Sequence, residues 1–433
     1  MKHESAFQRA LRMAVMSVGV AGSYAGYMTQ RAFLGKDKRE RKLKATHAKA
    51  GRRIADELAM LRGPAMKLGQ ALSLQTSVMP EAMLSELSTL QMHAPPMHPS
   101  LMRAQFKASM GAEPESIFRT FEDEPFAAAS LGQVHRAIAR EGDRVAVKIQ
   151  YPGIQSAVAS DFRYLRALTV TAQLTKHIPR TLLDETEQQI VAETDYRREA
   201  ENIRLFREQL RPLGYVTVPK MYPQYSSDKV LTMSFVEGDH LDMYLAKRPS
   251  QEERDTVGSR LLELFNFQLL RVKAFHADPH WGNYFFSPGG TIGLVDFGCV
   301  KYLTPEFVNN LRETFLYPGD RHGPAFRRLL EERWLLSGVK LKPAVHRGLV
   351  RLAEGFYRRL YPPDRGDDSQ VFDFGDRKFL VEYARELAKL FRSKAALPEH
   401  VFFARAETGL YQTLHRLKAR VPTSRIVRQF LQR

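Results

Sequence analysis

Among 433 residues the chain has a single cysteine, Cys299. No intrachain disulfide can form, and a reducing compartment is the simplest setting. Cys299 itself reads as a small buried filler. Acidic residues are in short supply as well: 48 Asp and Glu stand against 65 Lys and Arg, a net charge of +17. That excess calls for an anionic partner, either nucleic acid or an anionic membrane surface. Neither a zinc-knuckle spacing nor an aromatic-basic RNA motif is present, which argues for the membrane and against nucleic acid. Long apolar runs are missing too. The nearest, Ala10 to Met28, is slightly short for a full membrane span and is interrupted by Arg12. Val401 to Arg433 is charged throughout, so any membrane attachment is expected at the N-terminus.

That N-terminal run contains Gly19, Gly22 and Gly26, more glycine than a water-soluble helix favours. Gly22 and Gly26 form a G-x-x-x-G spacing, which lets helices approach closely in lipid and is a route to a homodimer. Between Arg31 and Arg53 follow ten Lys and Arg residues against Asp37 and Glu40. Three readings stay open: a segment held at an anionic leaflet, an amphipathic packing helix, or a signal or transit peptide.

The chemistry gathers at Phe275-His276-Ala277-Asp278-Pro279-His280-Trp281-Gly282-Asn283, followed by Leu294-Val295-Asp296-Phe297-Gly298. An acid, an amide five residues later and a D-F-G turn occur in that order in kinase folds. There the first Asp orients the phosphate acceptor, while the Asn and the D-F-G Asp hold metal ions. Gly293-Leu294-Val295 reads as a short buried strand delivering Asp296 to its mouth. His276 and His280, four apart, also fit a zinc pair on a helix, but Pro279 between them argues against a helix interior.

Upstream, Phe126 to Ile149 alternates like a β-hairpin with a loop at Arg140 to Asp143. Val145-Ala146-Val147-Lys148 matches the V-A-I-K strand whose Lys contacts nucleotide phosphates. The preceding turn lacks the kinase G-x-G-x-x-G. It carries Ala127-Ala128-Ala129-Ser130-Leu131-Gly132-Gln133-Val134 instead, whose backbone amides can face phosphates although its methyl groups limit the approach. A carboxylate partner for Lys148 is expected from Glu193-Thr194-Asp195-Tyr196-Arg197-Arg198-Glu199, with Asp195 and Glu199 sharing a helix face. Asp161 to Gln189 looks helical and reads as an insertion. Val230 to Val236 reads as a strand leading to a hinge at Glu237-Gly238.

Together these residues resemble the UbiB/ADCK family of atypical, protein-kinase-like ATPases, from about Glu40 onward. Five motifs carry the resemblance in order: Lys67-Leu68-Gly69-Gln70 (K-x-G-Q), the Ala-rich loop Ala127 to Val134, V-A-V-K at Val145 to Lys148, E-x-D at Glu193 to Asp195, and H-A-D-P-H-x-G-N with D-F-G. The resemblance implies an α+β, two-lobed protein-kinase-like fold. Residues 1-39 are expected to be a membrane-associating apolar and basic segment, and 40-99 a helical extension carrying K-x-G-Q. Residues 100-236 form the small lobe with a helical insertion at 152-190. The large lobe, 237-433, ends in an all-helical part.

It further implies ATP or ADP and Mg²⁺ as ligands. Lys148 would pair with Glu199 and bind phosphates, and Asp278 would be the catalytic-loop Asp. Asn283 and Asp296 would bind the metal. The Ala-rich loop, with Met233 and Phe235 at the hinge, would surround the nucleotide. Lys67 and Gln70 would lie over the active site, with Lys67 near Glu193, excluding a protein substrate; Gly69 and Asp195 complete this regulatory set. Two departures stand out: Trp281 replaces the family's usual Pro, and Ser234 stands where Glu is common. Only a few residues separate Gly298 from Thr304-Pro305-Glu306, which reads as a helix start with Thr304 as N-cap. That leaves no room for an activation loop. The implied function is an ATPase serving ubiquinone or other isoprenoid-lipid synthesis, working with the lipid and its biosynthetic enzymes. Alternatives are a non-catalytic nucleotide-binding scaffold and a small-molecule or lipid kinase. The expected location is the cytoplasmic face of an inner membrane, or the matrix face if organellar.

Overall fold

The computed structural model describes residues 6–31, 34–61, 82, 86, 97–129, 131–171, 180–278, 281–317, 323–333, 343, 347, 360, 371–383 and 398–431. The chain divides into two compact units. Unit one is Met1–Ala200 with Met221–Phe235; unit two is Glu201–Lys220 with Val236–Arg433. Lys67, Gly69, Gln70 and Ser130 lie outside the described residues, as do Pro279 and His280.

Unit one opens with two 26-residue helices, α1 (Ala6–Arg31) and α2 (Lys36–Leu61), which pack together. Gly19 makes the approach close: a Cβ there would meet the Arg53 guanidinium at 2.8 Å, and that group donates to the Gly19 carbonyl. Tyr24 and His47 share a 2.7 Å hydrogen bond across the same seam. Gly22 and Gly26, by contrast, meet no described atom within 4 Å. Val15, Val18 and Met28 stay exposed on α1. No described helix is long and apolar enough to cross a membrane.

Helix α3 (Pro99–Met110) leads into an antiparallel sheet of β1 (Thr120–Phe121), β2 (Ala127–Ala129), β3 (Gly132–Ile138) and β4 (Arg144–Gln150). Strand β4 is buried at every residue after Arg144, as its central place demands. Val145, Val147 and Ile149 meet Phe106 and Phe118 in the core. The insertion forms two helices, α4 (Ile154–Thr171) and α5 (Arg180–Glu193). Ile154, Val158 and Phe162 of α4 enter the same core, so this insertion is part of the lobe's packing. Helix α6 (Tyr196–Gln209) follows.

The chain then makes β5 (Val216–Thr217), and β6 (Val230–Ser234) completes the unit-one sheet against β4. Residues 201–220, expected in the small lobe, belong to unit two. The reason is local. Phe206 packs on Phe297 with ring centres 5.2 Å apart, and β5 pairs in parallel with β9 (Ile292–Leu294).

Unit two is built on α7 (Gln251–Phe267), started by a full capping box between Ser250 and Glu253. It runs on into a π-turn at Gln268–Val272. Two short ladders follow. Strand β7 (Ala274–His276) pairs with β10 (Val300–Tyr302), and β8 (Tyr284–Phe286) with β9. Helix α8 (Pro305–Phe315) starts at Thr304, whose hydroxyl accepts from the Phe307 N–H at 3.1 Å. Helices α9 (Pro398–Leu417) and α10 (Thr423–Leu431) pack on α7. The C-terminal part is not wholly helical. Phe372–Asp373 and Arg420–Val421 form a two-residue ladder that buries Phe372 and Val421.

Candidate active site

In unit one, the β3–β4–β6 register places Lys148 opposite Val134 and Leu231. Its Nζ donates to both Glu199 oxygens, at 2.8 and 2.9 Å, with the two side chains 9% and 1% exposed. A buried pair in this geometry is a charge-assisted, two-pronged contact. Glu199 is delivered by the first turn of α6, where the helix N-terminus favours a carboxylate. The Tyr196 ring lies 5.2 Å from the Lys148 ammonium. Asp195 does not share a helix with Glu199 as the spacing suggested. It precedes the helix as its cap, with Oδ1 accepting from the N–H groups of Arg197 and Arg198 at 3.1 and 3.2 Å. The E-x-D motif therefore straddles two helices, with the buried Glu193 closing α5. Gln150 fixes that junction by donating to the Thr194 carbonyl at 2.8 Å.

The Ala-rich segment differs from a free loop. Ala127, Ala128 and Ala129 pair with Val134, Gln133 and Gly132. The side chains of Leu131 and Gln133 are buried. Gln133 accepts from the Met97 N–H at 2.8 Å and meets His135 Nε2 at 2.8 Å, while His135 Nδ1 meets the Glu122 carbonyl at 2.8 Å. Donors and acceptors alternate along this chain if His135 is neutral with its proton on Nδ1, and burial, the larger influence, holds its pKa below the usual value. Gln133 thus ties the segment to the linker before α3, and only the backbone of this stretch is available to a ligand at Gln133. At the hinge, Met233 is buried in β6, and Phe235 packs against both Phe126 and the Arg144 guanidinium.

Gly132 sits at the tightest point. A Cβ there would lie 2.3 Å from the Ile149 carbonyl oxygen and 2.9 Å from the Tyr196 hydroxyl. Backbone cannot yield as a flexible side chain can. We expect Gly132→Ala to cost about 1–3 kcal/mol of stability and to weaken nucleotide binding by moving β2. Thermal unfolding beside a nucleotide titration checks this, and an unchanged midpoint would contradict it.

In unit two, the short ladders bring both acidic motifs to one place. The Val295 N–H donates to the Asn283 carbonyl at 3.0 Å, and the Ala277 N–H to that of Cys299 at 2.8 Å. Asn283 Nδ2 donates to Asp278 Oδ2 at 3.2 Å, an orientation that keeps the amide oxygen as a ligand atom. His276 lies between the two motifs: Nδ1 meets the Asp278 carbonyl at 3.1 Å and Nε2 the Asp296 carbonyl at 2.5 Å. A neutral ring donates to one carbonyl only, and the shorter contact places that proton on Nε2, toward Asp296; His280, the other half of the zinc reading, lies outside the described residues. Its own N–H donates to Gln268 of the π-turn at 2.9 Å, a contact no local pattern in the sequence announced. Asp296 adopts φ +61°, the left-handed region that Asp tolerates better than most residues. Its Oδ1 accepts from the Gly298 N–H at 3.3 Å. Nearby, burial and then the Asp278 charge push the Tyr284 phenol above its usual pKa, keeping it neutral.

The expected donors, Asn283 and Asp296, both offer oxygen, which suits Mg²⁺, and the Asp278 carboxylate lies beside Asn283. Among the described residues no group of three or more His, Cys, Asp and Glu converges. These ligands therefore fit an ion that completes its shell with phosphate oxygens and water, as Mg²⁺ does, better than a closed protein cage.

The family profile described as the ABC1 atypical kinase-like domain matches residues 89–322. The chain is similar to the mitochondrial atypical kinase COQ8 of Saccharomyces cerevisiae, 29% identical over 391 residues, covering 87% of this chain and 75% of that protein. It is similar to the mitochondrial atypical kinase coq-8 of Caenorhabditis elegans, 32% identical over 307 residues, covering 68% and 40%. Among solved structures, the complex of Rv3197 with erythromycin from Mycobacterium tuberculosis is 26% identical. It covers 92% of this chain and 98% of its own, with a TM-score of 0.61.

Proposed function

Because this chain belongs to the ABC1 atypical kinase-like family, we propose that it is a Mg²⁺-dependent ATPase serving ubiquinone or another isoprenoid-lipid synthesis at a membrane surface. It would not phosphorylate proteins in trans. The observation that carries the reading is the buried, two-pronged Lys148–Glu199 pair. A purely structural ion pair in a core can often be replaced by apolar residues without loss of stability. Set opposite Val134 of the Ala-rich segment, the pair would aim an ammonium at phosphate oxygens. Bound Mg²⁺ would neutralise charge building on those oxygens. Asn283 and Asp296 would hold it, and Asp278 would orient the attacking water or hydroxyl. The short link from Gly298 to Thr304 supports regulation without an activation loop.

Two features favour an anionic membrane surface as partner. Helix α2 carries most of the basic run, and α1 exposes Val15 and Val18 one turn apart. The yeast and nematode relatives are mitochondrial proteins by name. For this chain we keep a peripheral position on an inner membrane, with the open Gly22 and Gly26 as the face for a second copy.

The test is phosphate release from ATP with Mg²⁺ or with EDTA, each with and without anionic liposomes. We expect metal-dependent turnover that rises with liposomes. Binding without turnover in every condition would overturn the enzyme and leave the nucleotide-binding scaffold. Phosphate appearing on an added lipid rather than in solution would favour the lipid kinase.

A further inference from the structure

Asp296 holds a left-handed backbone, a conformation that persists in a non-glycine residue only where its surroundings impose it. Two successive carbonyls of this turn are gripped. His276 takes the Asp296 carbonyl. The next carbonyl, of Phe297, accepts from Asn202 Nδ2 at 2.8 Å. Asn202 is 1% exposed, and its orientation is itself fixed: its Oδ1 accepts from the Tyr302 hydroxyl at 2.6 Å. Four residues along the same face of α6, Phe206 packs on the Phe297 ring, which is fully buried and also meets His276 edge-on at 5.7 Å. Asn202 thus holds the backbone of the D-F-G phenylalanine while Phe206 holds its ring.

We propose that Asn202, oriented by Tyr302, is a positioning residue that fixes the turn carrying Asp296 and thereby sets the affinity of the metal site. This rests on the reading of Asp296 as a metal ligand. The amide is suited to the task because it presents a donor and an acceptor from one rigid plane. The donor meets the carbonyl of a buried residue, and the acceptor meets a tyrosine that is itself exposed. Loss of the donor leaves the Phe297 carbonyl unmatched, and the turn relaxes from the geometry that aims Asp296. None of these hydrogen bonds involves Lys148 or Glu199.

The test uses the full chain with Asn202→Asp, which keeps the shape but removes the N–H, and Tyr302→Phe, which removes the hydroxyl that orients the amide. Binding of a fluorescent ATP analogue is titrated against Mg²⁺ and repeated in EDTA. Amide exchange over 296–298 is measured without nucleotide. We expect half-saturating Mg²⁺ to rise about tenfold in Asn202→Asp and by a smaller factor in Tyr302→Phe. Affinity in EDTA should stay at the wild-type level, and exchange at Phe297 and Gly298 should accelerate in both variants. Parallel losses with and without metal would reduce Asn202 to a structural role and overturn the inference, as would unchanged Mg²⁺ dependence. If Asn202→Asp does not fold, Tyr302→Phe decides alone. Wild-type protein that binds nucleotide without regard to Mg²⁺ would refute the metal reading, while the exchange measurement still judges the hold on the turn.

Discussion

Glu199→Ala is expected to destabilise unit one by about 3–5 kcal/mol, a larger loss than that of Gly132→Ala. Its partner Lys148 is 9% exposed at the side chain and would be left as a buried charge facing a cavity. Lys148→Met should cost a similar amount for the mirror reason, since the buried Glu199 then loses its two-pronged cation. The informative variant is the double one. Lys148→Met with Glu199→Leu replaces the pair by apolar side chains of similar volume, and should return to within about 1 kcal/mol of wild type. It should release no phosphate. Urea unfolding followed by hydrogen exchange in β4 and α6 measures the stability, and phosphate release measures function. A Glu199→Ala protein as stable as wild type would mean the pair is solvated in solution. A double variant as unstable as the singles would mean that shape, not charge, dominates there.

Asp296→Asn should do the opposite: leave the fold and abolish the chemistry. Asn tolerates the left-handed region as Asp does, so φ +61° is no obstacle. The amide oxygen can still accept from the Gly298 N–H. What disappears is the negative charge that the proposed function sets against the metal. Loss of one such preorganised electrostatic contact lowers turnover by roughly 10²–10³, and here the metal's own occupancy falls as well. Steady-state phosphate release across a Mg²⁺ series, with the unfolding midpoint beside it, is the measurement. Asp296→Ala is the contrasting control, because a Cβ without a polar tip raises the cost of that backbone by about 1–2 kcal/mol. Wild-type turnover in Asp296→Asn at limiting Mg²⁺ would remove the residue from the metal site.

The sequence is legible where chemistry is local. The V-A-V-K strand, the D-F-G turn and the Thr304 cap each depend on neighbours within a few residues, and each appears in the expected element. Glu199 is a different case. Its partner lies 51 residues away, and only the match to a family pattern selected it over Asp195, which turns out to cap α6. Least legible are contacts between a side chain and a distant backbone. Asn202 on Phe297, Gln268 on His276 and Gln133 on Met97 join positions 95, 8 and 36 residues apart. A carbonyl has no letter in the sequence, so no spacing announces it. The one hint is periodicity: Glu199, Asn202 and Phe206 follow the i, i+3, i+7 stripe of one helix face, a polar pair leading an aromatic. The place of 201–220 in unit two is hidden for a similar reason. Only two residues of β5 make the parallel pairing, too few for a strand signal.

The pairing of Ala127–Ala129 with Gly132–Val134 bears on the thermodynamics of ligand capture. A glycine-rich lid loses backbone entropy each time it closes on a nucleotide, and that loss is subtracted from affinity. Here the same backbone has already been ordered during folding, with Gln133 anchored to Met97 from the middle of the ladder. Binding to this edge therefore carries little further ordering cost. Its entropy and heat capacity should be those of a preformed wall, and the speed of exchange should be set by contacts broken on release, not by a lid's motion.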